Sequence, residues 1–520
     1  MKLALLGHFS LLKIKIHLEI FLMEVKGTLE KNTFLVSFIS SLSVLFIVYF
    51  FEVTHFTLSI DEEFSNNIAH TISMGRWGHA LLKSTIFPEP FIPFYTEMLS
   101  LVILALSCSI ISKTLDLNTQ QAVFFSILYS ALPQFAFQLE FSNQSDTLAT
   151  AVLLSSLSTY FILRKKGVLL SFVAPVIALT FSVSIYQSII FLPVSIIASY
   201  VCYTLANNKP DLTFKGIVLK PVIVMIVSAV AYSLLTKIIQ WHFGKSSESY
   251  FLNMIGWIHQ PVVETIKSVV AFVVDYFSFN APYGLSIYAF TLFILFVVFT
   301  RPIKNRFIFL LSATTVILSP FLMNVIIGGF LPPRAMNCLA ISFAASGVIV
   351  FALYAEKKIL WAVPVIVLLY GTASSSKLFY TDYLSYNQDY NVSSFIANDI
   401  YKYVGTPPDR PVRVYFYGAL NVDSVDKPAN HDMFGSSFLN WDAGNSARIS
   451  AFMNATAIAK IIPASFDEIK PEFEKINTAP LWPAKDSVFK INNVIVVKLG
   501  QSPGNCINGI YKGTDPSRCL

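Results

Sequence analysis

Charge is what this sequence has least of. Only 13% of its 520 residues are Asp, Glu, Lys or Arg, whereas a soluble domain carries about 25%. With 54% hydrophobic residues and a mean hydropathy of +0.61, the soluble globular class is excluded and a polytopic membrane protein is implied. The net charge of +6 makes no case for nucleic acid, because the Lys and Arg residues sit in short loops between apolar runs. Cysteine is scarce as well. Of the five, Cys108, Cys202 and Cys338 lie inside apolar runs, and Cys506 and Cys519 stand apart in a polar tail. A small-residue cleavage site is missing from the N-terminal stretch, and Lys13, Lys15, His17 and Glu19 interrupt any signal-peptide core. Residues 1–33 read as a cytoplasmic or interfacial segment that can lie on the membrane as an amphipathic helix, with Met23 an alternative start. Repeats and low-complexity tracts are also absent.

What is abundant is apolar sequence near the spanning length of about 20 residues. Such runs lie at roughly 34–51, 94–112, 120–138, 146–163, 168–184, 187–205, 217–239, 284–300, 307–327, 335–354 and 359–375, which predicts about eleven transmembrane helices. The stretch 262–283 holds Glu264, Lys267 and Asp275 and reads as interfacial. With the N-terminus in the cytoplasm, the short inside loops carry Lys113, the Arg164 to Lys166 cluster, Lys209, Lys215 and Lys220, the Arg301 to Arg306 cluster, and Lys357 with Lys358. Every inside loop has a positive charge and two outside connections have none, as the positive-inside rule requires. The chain then divides into the N-terminal segment, a membrane domain at 34–376 with an outside first loop at 52–93, and an outside tail at 377–520. In the tail, Arg413 to Tyr417 and Asn493 to Val497 look like buried strands, and Ser446 to Ile461 and Ser465 to Ile476 look like helices. A small α/β domain is expected there.

The first loop is unusual. Ser59-Ile60-Asp61-Glu62-Glu63-Phe64 puts three carboxylates beside a bilayer, where a charge at the hydrocarbon centre costs about 2.5–3.5 kcal/mol. They belong at the surface or in a wet cavity, either as a solvated loop or as a catalytic motif. Gly75-Arg76-Trp77-Gly78-His79 and a Pro-rich run from Phe87 to Phe94 follow in the same loop. Trp77 can stack on a sugar or anchor at the interface. Tyr186-Gln187-Ser188 marks the outer junction of two spans, where Gln187 can cap backbone groups or bind a ligand. Asp146 favours a helix N-terminus, and Glu140 reads as a solvated loop acid. Arg334 follows Gly328-Gly329 and Pro332-Pro333 at an outer helix end. It is either a fork for phosphate or a snorkelling anchor.

The order Ile-Asp-Glu-Glu, Gly-Arg-Trp, Tyr-Gln-Ser and Pro-Pro-Arg resembles the phage-type serotype-converting O-antigen glucosyltransferases, which have GT-C architecture. The resemblance covers about residues 34–375. It implies an acid in the first outer loop and a sugar, glucose in this family, taken from a polyprenyl phosphate such as undecaprenyl-phosphate glucose. The acceptor it implies is the O-antigen repeat of lipopolysaccharide, outside the bacterial inner membrane. It also implies dependence on a transferase that makes the donor and a flippase that delivers it. Asp61 or Glu62 would be the base, Arg76, Gln187 and Arg334 would bind the donor phosphate or substrate, and Trp77 and Tyr186 could stack on sugar.

The residues suit that chemistry. The phosphate leaves readily and the acceptor hydroxyl needs a base. Cations steady the departing charge, and a single displacement inverts the anomeric carbon. No cofactor is certain from the residues. The paired acids could hold a divalent cation, although no His/Asp cluster demands one. A lipid-linked sugar flippase is the contrasting class, but it would place polar or broken helices at mid-membrane, and these runs are clean at their centres. An O-antigen polymerase would carry its large loop between later spans.

Two expectations are testable at this level. Reporter fusions after Lys166, Lys220, Arg306 and Lys358 should report cytoplasm and a fusion at Leu520 periplasm; a cytoplasmic C-terminus would overturn the orientation. Cys506 and Cys519 should form a disulfide in an oxidising compartment, contributing about 3 kcal/mol by loop closure. Thiol labelling of unreduced protein reads this directly, and two reactive tail thiols would refute the bond.

Overall fold

An apolar segment in lipid must close its backbone hydrogen bonds within itself, and a helix does so. The structure, a computed structural model, describes residues 32–64, 67–87, 92–207, 215–246, 254–278, 280–303, 305–405, 410–422 and 427–502. Among them, 7 helices are long and apolar enough to cross a membrane, and four apolar helices, Thr33–Val48, Leu169–Ile185, Ser286–Thr300 and Leu339–Leu353, are shorter. Each apolar run of the sequence falls on one of these helices. The N-terminal segment, Cys506 and Cys519 lie outside the described residues.

Lipid gives apolar helices little reason to associate, so small and polar residues carry much of the adhesion. Between Thr33–Val48, Tyr95–Leu115 and Thr119–Ala131, Ser37 Oγ lies 2.8 Å from Ser112 Oγ and 2.7 Å from Ser126 Oγ, and Ser41 Oγ lies 2.7 Å from Ser130 Oγ. The helix Lys220–His242 is peripheral. It buries Val224 and Ser228 and exposes Ile226, Val230, Leu234 and Ile238, a row at helical spacing that suits lipid. Val262–Phe277 exposes Glu264 and Lys267 alongside Val263, Ile266, Val270 and Val274, and it buries Val269, Phe272 and Tyr276.

One boundary differs from expectation. The last helix runs without a break from Ala362 to Val404, so the division drawn at 376 falls inside it. Polarity begins near Lys377, but no Gly or Pro stops the helix until Gly405, which caps it in the left-handed region (φ 66). Beyond it lies a four-stranded sheet of β1 (Val412–Tyr417), β2 (Ile461–Pro463), β3 (Val488–Ile491) and β4 (Val494–Lys498), in the order β2-β1-β4-β3. β1 is parallel to β2 and β4, and β3 is antiparallel to β4. Strand alternation sends Val412, Val414 and Phe416 to a core shared with Ile396, Ile400, Ile449 and Phe452, while Tyr415 and Tyr417 face Phe466, Ile469 and Ile476. The helix expected over 446–461 ends at Ala455, because the chain turns at Thr456 to Ala457 to deliver Ile461 into β2.

The long helix fastens both the domain and the first loop. Asp382 accepts from Ser59 Oγ (2.7 Å) and from Gly435 N (3.0 Å), and Asp389 accepts from Ser437 Oγ (2.7 Å) and Phe438 N (2.6 Å). Glu62 completes the attachment of the loop. It is buried, and its two oxygens accept from Ser59 N (2.8 Å) and Asn143 N (3.0 Å). Burial pushes its pKa well above the usual carboxylate range, against the pull of those two amides.

The expected result for Glu62→Gln follows from this geometry. A side-chain NH2 cannot accept from a backbone N–H, so one buried donor is left unmatched at a cost of about 1–3 kcal/mol. The thermal midpoint of the detergent-solubilised protein should fall, whereas Asp61→Asn should leave it close to wild type. An unchanged midpoint in Glu62→Gln would mean that the loop is held by other bonds.

Candidate active site

The acidic loop, the junctions between helices and the C-terminal domain meet at one end of the bundle around a pocket of about 760 Å³. That volume falls in the range of small-molecule sites, roughly 300–1,000 Å³. From the first loop come Asp61, Phe64, Arg76, His79 and Lys83; from helix ends Phe141, Asn143 and Tyr186; from the Pro-Pro turn Arg334; and from the C-terminal domain Arg448.

Local structure explains how the loop delivers them. Asp61 sits at φ 81, in the left-handed region, where it turns the chain so that Glu62 and Glu63 go inward while its own side chain stays 58% exposed. Gly75 turns the chain before Arg76 at φ 76, and a Cβ there would lie 2.7 Å from Tyr232 Oη. A Cβ on Gly78 would lie 2.1 Å from Ser184 Oγ. The glycines of Gly-Arg-Trp-Gly are therefore needed for close approach of the loop to its neighbouring helices. Pro332 and Pro333 set the 3-10 turn Pro333–Ala335 that aims Arg334.

The electrostatics are lopsided. Among the described residues, Asp61 is the one carboxylate that lines the pocket, against Arg76, Lys83, Arg334 and Arg448. Lys83 is committed to Asp146 at 3.1 Å, both nearly fully buried. Arg334 pairs with Asp432 at 2.9 Å, and its guanidinium lies 4.8 Å from the Phe141 ring centroid. Arg76 is different. It stacks over Tyr186 at 4.7 Å, its Nε is buried without a hydrogen-bond partner, and no carboxylate among the described residues pairs with it. His79 shares a hydrogen bond with Thr147 Oγ1 through Nδ1 (2.8 Å). Burial, with Lys83 and Arg76 nearby, pushes its pKa down to about 3, so it is a neutral polar group in the wall. Glu63 pairs with Arg448; burial nonetheless lifts its pKa to about 7, the guanidinium opposing that rise.

Of the residues expected from sequence, Asp61, Arg76, Tyr186 and Arg334 converge on the pocket. Glu62 does not, since both of its oxygens are taken by backbone amides behind the wall. Trp77 turns away from the pocket, donating from Nε1 to Thr236 Oγ1 (3.1 Å) and packing on Phe181. Gln187 donates to Met74 O (2.9 Å) and Tyr232 Oη (3.2 Å), holding the loop rather than facing the pocket. Both side chains use their polar atoms to seat the first loop. Glu140 is fully buried rather than solvated, with both carboxylate oxygens unpaired and its pKa pushed well above the usual range by burial and by Asp382 and Asp432. Asp146 lies in the second turn of Ser142–Arg164 and serves Lys83. Arg334 pairs with a residue of the C-terminal domain, which a lipid anchor would not do. Lys83, Phe64 and Arg448 are pocket residues that sequence reasoning missed. Lys83 was legible only as a loop charge, and Arg448 is 387 positions from Asp61 with no motif around it. Among the described residues, no group of three or more His, Cys, Asp or Glu side chains could hold a metal ion.

No curated protein and no solved structure matches the chain. A family model does, the one described as glucosyl transferase GtrII, over residues 50–353. That span takes in the first loop and every helix junction around the pocket, leaving only the C-terminal side outside it. A match of this extent, on a bundle of apolar helices with such a pocket at its end, means that the chain belongs to the GtrII glucosyl transferase family and is a membrane glucosyltransferase.

Proposed function

We propose that the protein transfers glucose from a polyprenyl-phosphate donor to a hydroxyl of an O-antigen repeat, at the periplasmic face of the bacterial inner membrane. The observation that carries this reading is a pocket lined, among the described residues, by one carboxylate, Asp61, together with Arg76, which pairs with no described carboxylate. An anionic leaving group and a hydroxyl nucleophile need those two groups in one cavity. The acceptor oxygen forms its bond to the anomeric carbon as the bond from that carbon to the phosphate oxygen breaks. The phosphate keeps the electron pair and stays on the polyprenyl chain, and the acceptor proton passes to Asp61. One displacement of this kind inverts the anomeric centre. Arg76, aided by Arg334, meets the charge that develops on the phosphate.

A neutral His79 and the Tyr186 ring offer hydrogen bonding and an apolar face to the sugar. The orientation with the tail and pocket outside follows from the distribution of Lys and Arg in the short loops. A polyprenyl donor fits a pocket at the end of a lipid-embedded bundle, because its phosphate would stay at the membrane surface while its chain stays in hydrocarbon.

The test is transfer by purified protein in detergent, from undecaprenyl-phosphate glucose to lipopolysaccharide. Asp61→Asn should lower kcat by about 100-fold or more. Arg76→Lys should raise the donor KM at saturating acceptor, since an ammonium cannot reproduce the planar fork, and Arg334→Lys should do so to a lesser degree because Asp432 already occupies part of that guanidinium. Wild-type transfer by Asp61→Asn would remove the base from this scheme.

A further inference from the structure

The family match ends at residue 353, yet the pocket does not. Arg448 reaches it from Ser446–Ala455, a helix of the C-terminal domain. The side chain is buried and fully engaged. Nη2 lies 3.1 Å from Asp61 Oδ1, Nε and Nη2 each lie 3.3 Å from Asp442 Oδ2, and Nη1 pairs with Glu63. Its Cζ is 5.4 Å from the Phe64 ring centroid.

The base of that helix is itself fixed. Asn445 Oδ1 caps it, accepting from Ala447 N (3.0 Å) and Arg448 N (3.4 Å), and Ser446 Oγ accepts from Phe416 N of β1 (2.9 Å). Asp61 stands in the opposite condition. Its backbone is in the left-handed region and its side chain is more than half exposed, and among the described residues of the loop none restrains the carboxylate. One oxygen is held by Arg448, and the other makes no hydrogen bond among the described residues. A base needs this arrangement, with one lone-pair set fixed and one facing the acceptor.

We infer that Arg448 is a positioning residue for glucosyl transfer, through which the C-terminal domain completes the site by fixing the Asp61 carboxylate. The inference rests on the reading of Asp61 as the base. A docking function alone would be served by the buried Glu63 pair; the exposed Asp61 contact adds direction to a reactive group. Three carboxylates approach the guanidinium from different sides, and only a planar fork can meet them together.

A double-mutant cycle tests this in the full-length protein, with undecaprenyl-phosphate glucose and lipopolysaccharide as substrates. Arg448→Met should lower kcat by about 10- to 100-fold, the scale of a misplaced catalytic group, and should leave donor KM within about twofold. In the Asp61→Asn background the same substitution should change residual kcat by no more than about twofold, because it acts through a carboxylate that is no longer there. Arg448→Lys keeps the charge without the fork and should show a smaller kcat loss at an unchanged thermal midpoint; it replaces Arg448→Met in the cycle if the latter fails to fold. Equal losses in both backgrounds would reduce Arg448 to a domain-docking residue and overturn the inference. So would a wild-type kcat in Arg448→Met alongside an inactive Asp61→Asn. An active Asp61→Asn would instead bring down the reading of the base.

Discussion

The carboxylate of Glu62, shared between the backbone amides of Ser59 and Asn143, sets the geometry of the whole end of the bundle. It joins the first loop to the start of Ser142–Arg164, and it does so one residue from Asp61 and next to the wall formed by Phe141 and Asn143. A buried carboxyl group is tolerated beside an apolar bundle only when its oxygens are hydrogen-bonded. That requirement is what orders a loop which, by composition, would be solvated. Neighbouring acids divide the work accordingly: Glu62 builds, Glu63 docks the C-terminal domain, and Asp61 alone reaches the pocket.

Sequence patterns revealed the helices well and the partners poorly. Each apolar run coincides with a helix, and seven of these helices are long and apolar enough to cross a membrane. The domain division drawn at 376 falls inside a helix because hydropathy reports where the chain becomes polar, which is a different event from the backbone ceasing to be helical. Gly405 was the actual stop. In the site, residue type signalled chemical capacity but not its target. Asp61, Arg76, Tyr186 and Arg334 stood out as polar groups at one end of the bundle, and they do converge. Trp77 and Gln187 stood out for the same reason but hold the loop on Thr236, Met74 and Tyr232. Nothing local distinguishes an amide that binds a ligand from one that binds a carbonyl.

Arg448 and Glu140 show the limits from two sides. Arg448 belongs to a polar domain where an Arg draws no notice, and its meaning comes from a loop nearly four hundred positions earlier. Glu140 looked like an ordinary loop acid, yet it is buried, with Asp382 and Asp432 adding to the rise in its pKa, so burial rather than sequence context governs its protonation. The glycines of the first loop were legible as a motif, but their reason, contact with Tyr232 and Ser184 at distances no Cβ allows, is a property of the assembled bundle.

The helix from Ala362 to Val404 links these parts mechanically. At 1.5 Å per residue its 43 residues form a rod about 65 Å long. From Thr372 to Val404 it contains neither proline nor glycine, so it has no hinge of the usual kind. The sheet domain packs on its far end through Ile396, Ile400 and Tyr401, while Gly371 lies against the backbone of Ala131 in the bundle. Domain and bundle therefore share a single stiff axle. Whatever enters the pocket passes along the sides of this frame, since the frame cannot open by swinging the domain away without bending the rod.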